Sequence, residues 1–448
     1  MKNFKCLLVH TPRLHNNDGV ITSDVNYCAM GLFSLAGELN KNGFSSKIIN
    51  LGIEKYLNKN FLLSSYVKEN DIKLLAFSLH WNHNFFDVIK TAKYVKEKCP
   101  DVFITLGGYT ASFYAQEIMN EFSFVDAIIR GEGEYSIVEI AKALFKNTSF
   151  DNIPNLFYRK NLEIILNKNL FVATSDDLNK FEFFNPQNMV HYDEYTKIPY
   201  VLKYNLDNQL VSASTTQGVC LGRGCFGNCI WCGGGHYAER KISGRDFISY
   251  RKIESVVSEL KEMKNKYNIE NFRFSFDPNP KDRNYLIELF DALYDEFKGN
   301  LSVLYNLDGL PDDKFLSAYK KAVSKNSILY MSPVSYNEII RRKYKSFYYS
   351  NDELESVLSK MDNLEISSEI YFYDIPELED NENLKSQEYA LFLKNKYKFV
   401  KDAYMYSLEI VPASILFENP EKYKLKNVPA SFWDYYNRND AVVKSFEY

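Results

Sequence analysis

Short apolar segments alternate with amphipathic helical segments along most of this 448-residue chain. In the first 150 residues, the apolar segment 74–79 precedes the amphipathic segment 87–98, and the apolar segment 102–106 leads directly into Gly107-Gly108. Strands that alternate with helices and end in glycine turns are typical of a parallel, doubly wound sheet, which binds ligands at the carboxyl ends of its strands. The alternation therefore predicts an α/β fold with a ligand site at that edge.

A second strand–helix series begins near residue 206 and suits a partial or complete α/β barrel. Between the two series, a hairpin pattern at 155–166 and a polar stretch predict a linker. We expect an N-terminal doubly wound domain at 1–150, a linker with a hairpin at 151–205, the barrel at 206–420, and an aromatic-rich C-terminal segment at 421–448 that covers the barrel mouth or packs as a terminal helix.

Composition excludes several classes of protein. A formal net charge of −4 provides no basic field for nucleic acid. No apolar run approaches the roughly 20 residues of a membrane helix, and the N-terminus reads as a strand rather than a secretory signal. We therefore expect a cytosolic protein that binds neither nucleic acid nor a membrane.

Four of the seven cysteines lie between residues 220 and 232, on a glycine-rich segment. Cys225, Cys229 and Cys232 have the spacing C-x3-C-x2-C. Thiolates are suitable ligands for an iron–sulfur cluster, and three of them leave one iron of a four-iron cluster open. A zinc site with Cys220 as the fourth ligand is the alternative, but zinc sites usually combine two separated cysteine pairs, and the chain has no second pair.

The loop resembles the cluster loop of radical S-adenosylmethionine enzymes, in which C-x3-C-x-aromatic-C follows the first barrel strand. The resemblance implies a [4Fe-4S] cluster on the three cysteines and an S-adenosylmethionine molecule whose adenine packs against Trp231. The family has glycines at the end of its second strand, whereas this chain has Phe274-Ser-Phe-Asp-Pro278. The further residues that we expect to contact S-adenosylmethionine are all at strand ends: Ser275, Asp277, Asn306, Ser332 and Glu409.

The first domain resembles the cobalamin-binding domain that precedes the barrel in a branch of this superfamily. Several weak features occur in the family's order: a helix–Gly–strand unit at 35–50, a serine at a strand end, and two glycine turns. The residues that the resemblance places at cobalamin are Arg13, Ser78, His80, Trp81, Gly107, Gly108, Tyr109, Gly131 and Glu132.

The chain departs from those cobalamin domains that ligate cobalt from below. They carry Asp-x-His-x-x-Gly after the first strand, whereas this chain has His10-Thr-Pro-Arg-Leu-His15. We therefore expect base-off cobalamin without a histidine ligand, with Arg13, His80 or Trp81 covering the lower face of the corrin.

The resemblance implies a reaction as well. A 5′-deoxyadenosyl radical would abstract a hydrogen from an unactivated carbon of a small molecule or peptide, and methylcobalamin would supply a methyl group. A flavodoxin or ferredoxin would provide electrons to a monomeric enzyme. A cobalamin-dependent cyclase or rearrangement enzyme is the first alternative, and a corrinoid- or redox-sensing binding protein is the second. A methylthiotransferase is disfavoured, because the chain lacks a second cysteine triad upstream.

Overall fold

The structure is a computed structural model of the whole chain. It describes residues 1, 3–12, 30–161, 163–195, 201–206, 209–212, 216–375, 380–425, 429 and 431–437. The chain divides into two compact units. The first comprises Met1–Tyr200, Arg240–Arg245 and Pro429–Tyr448, and the second comprises Val201–Glu239 and Asp246–Val428. Over the described ranges, no helix is both long enough and apolar enough to span a membrane.

The first unit is built on a seven-stranded sheet with the order β2-β1-β3-β4-β5-β6-β7. The first five strands run parallel, and the last two are antiparallel. This order confirms the predicted doubly wound sheet, and the predicted hairpin at 155–166 extends it as β6 and β7. The strands are β1 Lys5–His10, β2 Ser45–Asn50, β3 Ile72–Ser78, β4 Phe103–Gly107, β5 Ala127–Ile129, β6 Leu156–Lys160 and β7 Glu163–Leu166.

Helices connect the parallel strands, and the longer ones bury one apolar face. The longest places Phe85, Val88, Ile89, Ala92 and Val95 on its buried side, at the spacing of an amphipathic helix. The helices of residues 30–195 are α1 Met30–Lys41, α2 Leu51–Leu57, α3 Leu63–Glu69, α4 Phe85–Lys98, α5 Tyr109–Phe113, α6 Ala115–Glu121, α7 Glu134–Lys146, α8 Ser175–Leu178 and α9 Tyr192–Tyr195.

The second unit is built on a six-stranded parallel sheet, the arrangement of a partial α/β barrel. Its strands, in spatial order, are β10 Thr216–Val219, β13 Asn271–Phe274, β14 Ser302–Leu307, β15 Ile328–Val334, β16 Ser368–Asp374 and β17 Val400–Ser407. Two short antiparallel pairs accompany it, β8 Val201–Leu206 with β9 Gln209–Ser212, and β11 Gly222–Arg223 with β12 Ser249–Tyr250.

The helices of this part of the chain follow the strands, as a βα series requires. They are α10 His236–Ile242, α11 Ile253–Tyr267, α12 Asn284–Phe297, α13 Asp313–Ala322, α14 Glu338–Tyr344, α15 Asn351–Asn363, α16 Asp380–Lys396 and α17 Ile415–Glu418.

One face of the six-stranded sheet is turned toward these helices. Phe274 of β13 and Tyr305 of β14 contact Phe290 of α12, and Phe372 of β16 contacts Tyr389 of α16. Because side chains alternate along a strand, the residues between them lie on the opposite face. We call that opposite face the inner face.

The C-terminal segment contains the short helix α18, Phe432–Asn437, which belongs to the first unit. The ring of Phe432 stacks on Phe85 of α4 with the ring centroids 5.6 Å apart, and Trp433 contacts Phe122 at 5.8 Å. These contacts agree with a packed terminal helix. The position of the segment over the barrel mouth stays a prediction.

We predict that the Gly-Gly turn after β4 depends on Gly108. This residue has φ of +103°, and an added Cβ would lie 2.8 Å from the Cα and N of His80. We expect Gly108→Ala to lower the free energy of unfolding by about 3 kcal/mol, measured by urea unfolding. The control is Gly31→Ala in α1, where an added Cβ meets no atom within 4 Å and helix propensity improves. Equal effects of the two substitutions would contradict the prediction.

Candidate functional site

The cysteine loop follows β10 at the carboxyl edge of the six-stranded sheet, and backbone hydrogen bonds attach it to later segments of the second unit. Phe226 donates its N–H to the carbonyl of Pro278 at 3.0 Å. Ile230 donates to the carbonyl of Tyr344 at 3.0 Å and accepts from the N–H of Leu416 at 2.8 Å. The loop is therefore connected to the ends of three other segments, which hold its cysteines in place.

Glycines are needed where this loop packs tightly. A Cβ on Gly235 would lie 2.8 Å from the carbonyl oxygen of Gly227, and one on Gly233 would lie 2.6 Å from a side-chain carbon of Val411. Any larger residue at either position would push the loop away from these neighbours. The glycine richness seen in the sequence thus has a steric cause.

Each sulfur of the cysteine triad accepts a hydrogen bond from a backbone N–H. The pairs are Gly227 to Cys225 at 3.1 Å, Ser346 to Cys229 at 3.5 Å and Gly234 to Cys232 at 3.3 Å. Such donors stabilise thiolate charge and are a usual feature of iron–sulfur sites. The donor set of the loop therefore fits a cluster bound by three thiolates.

Cys220 has a different environment from the triad. It is buried, and its Sγ lies 3.7 Å from the carbonyl oxygen of Gly222, which a thiol can contact as a donor. Burial raises the pKa of this thiol to about 11. The geometry agrees with the prediction that Cys220 packs beside the loop rather than binding the cluster.

Burial also opposes ionisation of the triad in the absence of metal. It raises the pKa of Cys225 and of Cys232 to about 12, and it raises the pKa of Cys229, where Lys345 acts in the opposite direction. Metal binding must therefore displace protons from the sulfurs.

Across the described residues, no group of three His, Cys, Asp or Glu side chains is placed to hold a single metal ion. In a cubane, by contrast, each cysteine binds a different iron.

The residues predicted to contact S-adenosylmethionine lie at the same edge of the sheet or on its inner face. Trp231 is half-buried, and its ring centroid lies 5.6 Å from that of Tyr373 on β16. Asn306 is on β14 and Ser332 on β15, both on the inner face. Ser332 is buried, and among the described residues its hydroxyl has no hydrogen-bond partner. A buried hydroxyl without a partner fits a site for a polar ligand.

The other three predicted contacts differ in their surroundings. Ser275 and Glu409 are exposed, just beyond β13 and β17. Asp277 is buried in an ion pair with Arg283, with oxygen–nitrogen distances of 2.9 and 2.6 Å. One of its oxygens also accepts the N–H of Asp308 at 2.8 Å. Asp277 thus joins the ends of two neighbouring strands, and its contact with S-adenosylmethionine stays a prediction.

In the first unit, the structure brings the predicted cobalamin residues to the carboxyl edge of the sheet. Ser78 and Gly107 are paired at the ends of β3 and β4. The ring of His80 contacts those of Trp81 and Tyr109, with centroids 4.5 and 5.0 Å away. Burial lowers the pKa of His80 to about 4, so its imidazole is neutral at physiological pH. Arg13 and His15 lie outside the described residues.

Two residues that the sequence reasoning missed stand at this edge. Thr11 follows β1 directly, and Thr105 is on β4 two residues before Gly107. Both side chains are buried, and within the described part of the chain neither hydroxyl has a hydrogen-bond partner. The switch point of this strand order lies between β1 and β3, where such sheets bind ligands. Thr11 could not be identified from the sequence, because the strand order of the folded sheet is what places the end of β1 at the switch point.

The second glycine turn approaches a distant segment of the first unit. A Cβ on Gly131, which has φ of +74°, would lie 2.8 Å from the Cα of Ser243. The carboxylate of the next residue, Glu132, accepts from Nε of Arg245 at 2.8 Å and from its Nη2 at 2.5 Å, and also from the N–H of Ala173 at 3.0 Å. Glu132 therefore has a structural role, and its contact with cobalamin stays a prediction.

Comparison with known proteins shows similarity to one family model and to several solved structures. Residues 17–141 match the family model of the B12 binding domain. The fold is similar to those of two solved radical S-adenosylmethionine enzymes, which confirms the architecture expected from the resemblance.

The particular neighbours are distant in sequence. The structure is similar to TsrM of Kitasatospora setae, a radical S-adenosylmethionine methyltransferase solved with tryptophan and a cofactor analogue, at a TM-score of 0.70, 12% identity, and coverage of 93% of this chain and 76% of that one. It is also similar to the cobalamin-dependent S-adenosylmethionine radical enzyme OxsB, at a TM-score of 0.66 and 14% identity. The match covers 94% of this chain and 62% of OxsB.

A curated relative is the hopanoid C-3 methylase of Methylococcus capsulatus, 27% identical over 131 residues, or 28% of this chain. The match spans 24% of the length of that methylase. In the other curated relatives that match, the chain spans at most about half of their length.

We predict that the cluster requires the triad and not Cys220. After anaerobic reconstitution, Cys225→Ala, Cys229→Ala and Cys232→Ala should each lose the cluster, because each removes an iron ligand. Cys220→Ala should keep about four irons per chain. Iron and sulfide analysis, together with visible absorbance, measures the cluster content of each variant. A cluster retained without a triad cysteine, or lost with Cys220 alone, would contradict the assignment.

We predict that the buried pair Glu132–Arg245 is needed for the stability of the first unit. Arg245→Met leaves a buried carboxylate without its counter-charge and should lower the free energy of unfolding by about 3–5 kcal/mol. The control is Lys142→Ala, which removes the partly exposed pair with Glu139 and should cost at most about 1 kcal/mol. Adding Glu132→Leu to Arg245→Met should recover part of the loss in urea unfolding. No recovery would mean that packing dominates.

Proposed function

We propose that the chain is a cobalamin-dependent radical S-adenosylmethionine enzyme that methylates an unactivated carbon of a small molecule or peptide. One observation carries the proposal. A triad of cysteines, each receiving a backbone N–H, stands at the carboxyl edge of a parallel sheet in a chain that also matches the B12 binding domain. The names of the curated methylase and of TsrM support methyl transfer as the outcome.

In this proposal, Cys225, Cys229 and Cys232 hold the cluster, and S-adenosylmethionine binds at its open iron. Trp231 contacts the adenine, while Ser332 and Asn306 offer polar groups from the inner face. For Asp277 the proposal rests on its place at a strand end alone, because Arg283 already binds its carboxylate. Ser275 and Glu409 offer exposed polar groups at the same edge.

Cobalamin binding is proposed at the carboxyl edge of the first sheet. Gly107 and Gly108 let the backbone approach the ligand closely, and Ser78 with the unpartnered hydroxyls of Thr11 and Thr105 donates hydrogen bonds to it. The residues proposed to form the wall of the site are Arg13, His80, Trp81, Tyr109, Gly131 and Glu132. Since the imidazole of His80 is neutral, it adds no positive charge to this wall.

When bound, the cofactors supply the radical that removes a hydrogen and the methyl group that replaces it. The residues of the chain bind and orient these groups and keep water away from them. Trp231 and Tyr373 place an apolar surface beside the cysteine loop, continuous with a cluster of buried residues around Ile230 and Leu416. That surface excludes water from the loop on this side.

We predict that the anaerobically reconstituted chain, reduced and supplied with cobalamin, cleaves S-adenosylmethionine to 5′-deoxyadenosine. Liquid chromatography with mass detection makes the measurement, and Cys229→Ala should lose the activity while Cys220→Ala keeps it. Transfer of labelled methyl groups to a product would establish methylation. A sample with an intact cluster that never cleaves S-adenosylmethionine would disprove the proposal.

The same experiment separates the two alternatives. A cyclase or rearrangement enzyme would cleave S-adenosylmethionine and release a product without label. A corrinoid- or redox-sensing protein would bind cofactor but show no cleavage, and its cluster would not respond to S-adenosylmethionine. A flavodoxin or ferredoxin as electron donor and a monomeric state belong to the proposal as further expectations.

A further inference from the structure

Strands β16 and β17 place four tyrosines and a glutamate together on the inner face of the second unit. The strands are in register, with Tyr371 opposite Tyr404 and Tyr373 opposite Tyr406, and Glu369 stands two residues before Tyr371. Phe372, between the tyrosines of β16, points to helix α16 on the other face. We call Glu369, Tyr371, Tyr373, Tyr404 and Tyr406 the tyrosine–carboxylate surface.

The rings of this surface contact one another mostly edge to face. The centroids of Tyr404 and Tyr406 are 5.0 Å apart at an interplanar angle of 82°, and Tyr371 contacts Tyr373 and Tyr406 at 5.9 Å each. Tyr371 and Tyr404 are stacked instead, with their centroids 6.3 Å apart. Because an edge-to-face contact covers one face of only one of its two rings, the other contacts leave electron-rich ring faces uncovered. Tyr406 is 51% exposed, which opens the surface to solvent.

Glu369 is a buried carboxylate whose hydrogen-bond partner among the described residues is a tyrosine hydroxyl. It is 5% exposed, and Tyr404 donates its hydroxyl to one carboxylate oxygen at 3.1 Å. In the described parts of the chain, no lysine, arginine or histidine forms an ion pair with it, whereas Arg283 neutralises the buried Asp277. Burial raises the pKa of Glu369 to about 7, and Asp402 acts in the same direction while Arg273 and Lys394 oppose it. A buried carboxylate that has no direct ion-pair partner favours the approach of a cation.

The chemistry of the surface defines the ligand. The negative faces of tyrosine rings attract a cation within about 6 Å of a ring centroid, and the attraction strengthens when water is removed. When ionised, Glu369 adds a negative charge two residues before Tyr371 on the same strand. An anionic group would be repelled, and a neutral group would gain only packing.

This inference rests on the proposed function, in which the substrate must bind close to the cysteine loop. The tyrosine–carboxylate surface begins beside that loop. Tyr373 contacts Trp231, which lies directly before Cys232 on the loop. We infer that the enzyme binds its substrate through an organic cation, a protonated amine or a guanidinium, held over the tyrosine faces and against the carboxylate of Glu369. The substrate class is therefore an amine- or guanidine-bearing small molecule or peptide.

The test uses probes in place of the unidentified substrate. Binding of 2-phenylethylammonium to the reconstituted full chain is measured by calorimetry above the pKa of about 7 of Glu369, beside neutral 2-phenylethanol and anionic phenylacetate. We expect the ammonium probe to bind about tenfold more tightly than the alcohol, and phenylacetate more weakly than either. Equal affinities of the ammonium and alcohol probes would overturn the inference.

Substitutions in the tyrosine–carboxylate surface show whether the ammonium probe binds there. Glu369→Gln should weaken binding of the ammonium probe about tenfold and leave the alcohol unchanged, and Tyr406→Leu at an exposed position should weaken the ammonium probe as well. The matched control is Asp374→Asn, which removes an acid of the same strand whose carboxylate accepts a hydrogen bond from the side-chain amide of Asn383 at 2.6 Å, and it should leave binding of both probes unchanged. Circular dichroism and cluster absorbance verify the fold of each variant. No loss of affinity in a folded Glu369→Gln would disprove the assignment.

Competition separates this inference from the cofactor site. If S-adenosylhomocysteine displaces the ammonium probe, the surface belongs to the cofactor and the inference falls. Simultaneous binding of both supports it. Cleavage of S-adenosylmethionine without added probe tests the proposed function separately, so that failure of one claim is distinguishable from failure of the other.

Discussion

Parallel strand pairing is the constraint on which the rest of the structure depends. Parallel neighbours cannot be joined by tight hairpins, so each connection crosses back as a helix, and the segments that leave the strands collect at the carboxyl edge. In the first unit that edge carries Thr11, Ser78 and the turn at Gly108. In the second unit it carries the cysteine loop and Asp277. Residues far apart in the sequence are assembled within each unit for this reason.

The buried carboxylates Asp277, Glu132 and Glu369 have two kinds of partner. Arg283 binds Asp277 and Arg245 binds Glu132, and each pair connects segments that would otherwise be held only by backbone contacts. Glu369 instead has a tyrosine hydroxyl as its hydrogen-bond partner. A buried charge without an ion-pair partner costs stability, and a bound cation would offset that cost. This contrast is the physical basis for assigning Glu369 to cation binding, whereas the arginine pairs give the other two carboxylates a structural role.

The cysteine loop combines steric and electrostatic requirements. Its glycines allow the backbone at Gly235 to pass close to Gly227, and that close packing directs N–H groups of the loop toward its own sulfurs. Burial holds the pKa of the free thiols high, so the same dry environment that protects a cluster resists its assembly until metal replaces the protons. Loop rigidity and cluster assembly are thus linked by the same few glycines.

The sequence alone determined the α/β class, most strand and helix positions and the cysteine triad, because apolar periodicity and C-x3-C-x2-C spacing are local properties. It did not show that Asp277 and Glu132 are held by arginines, because partners distant in sequence leave no local pattern. It also missed Thr11, whose importance depends on the order of strands in the sheet. The tyrosine–carboxylate surface was decided by the tertiary structure, since the register of β16 against β17 places Tyr371 beside Tyr404, more than thirty residues away.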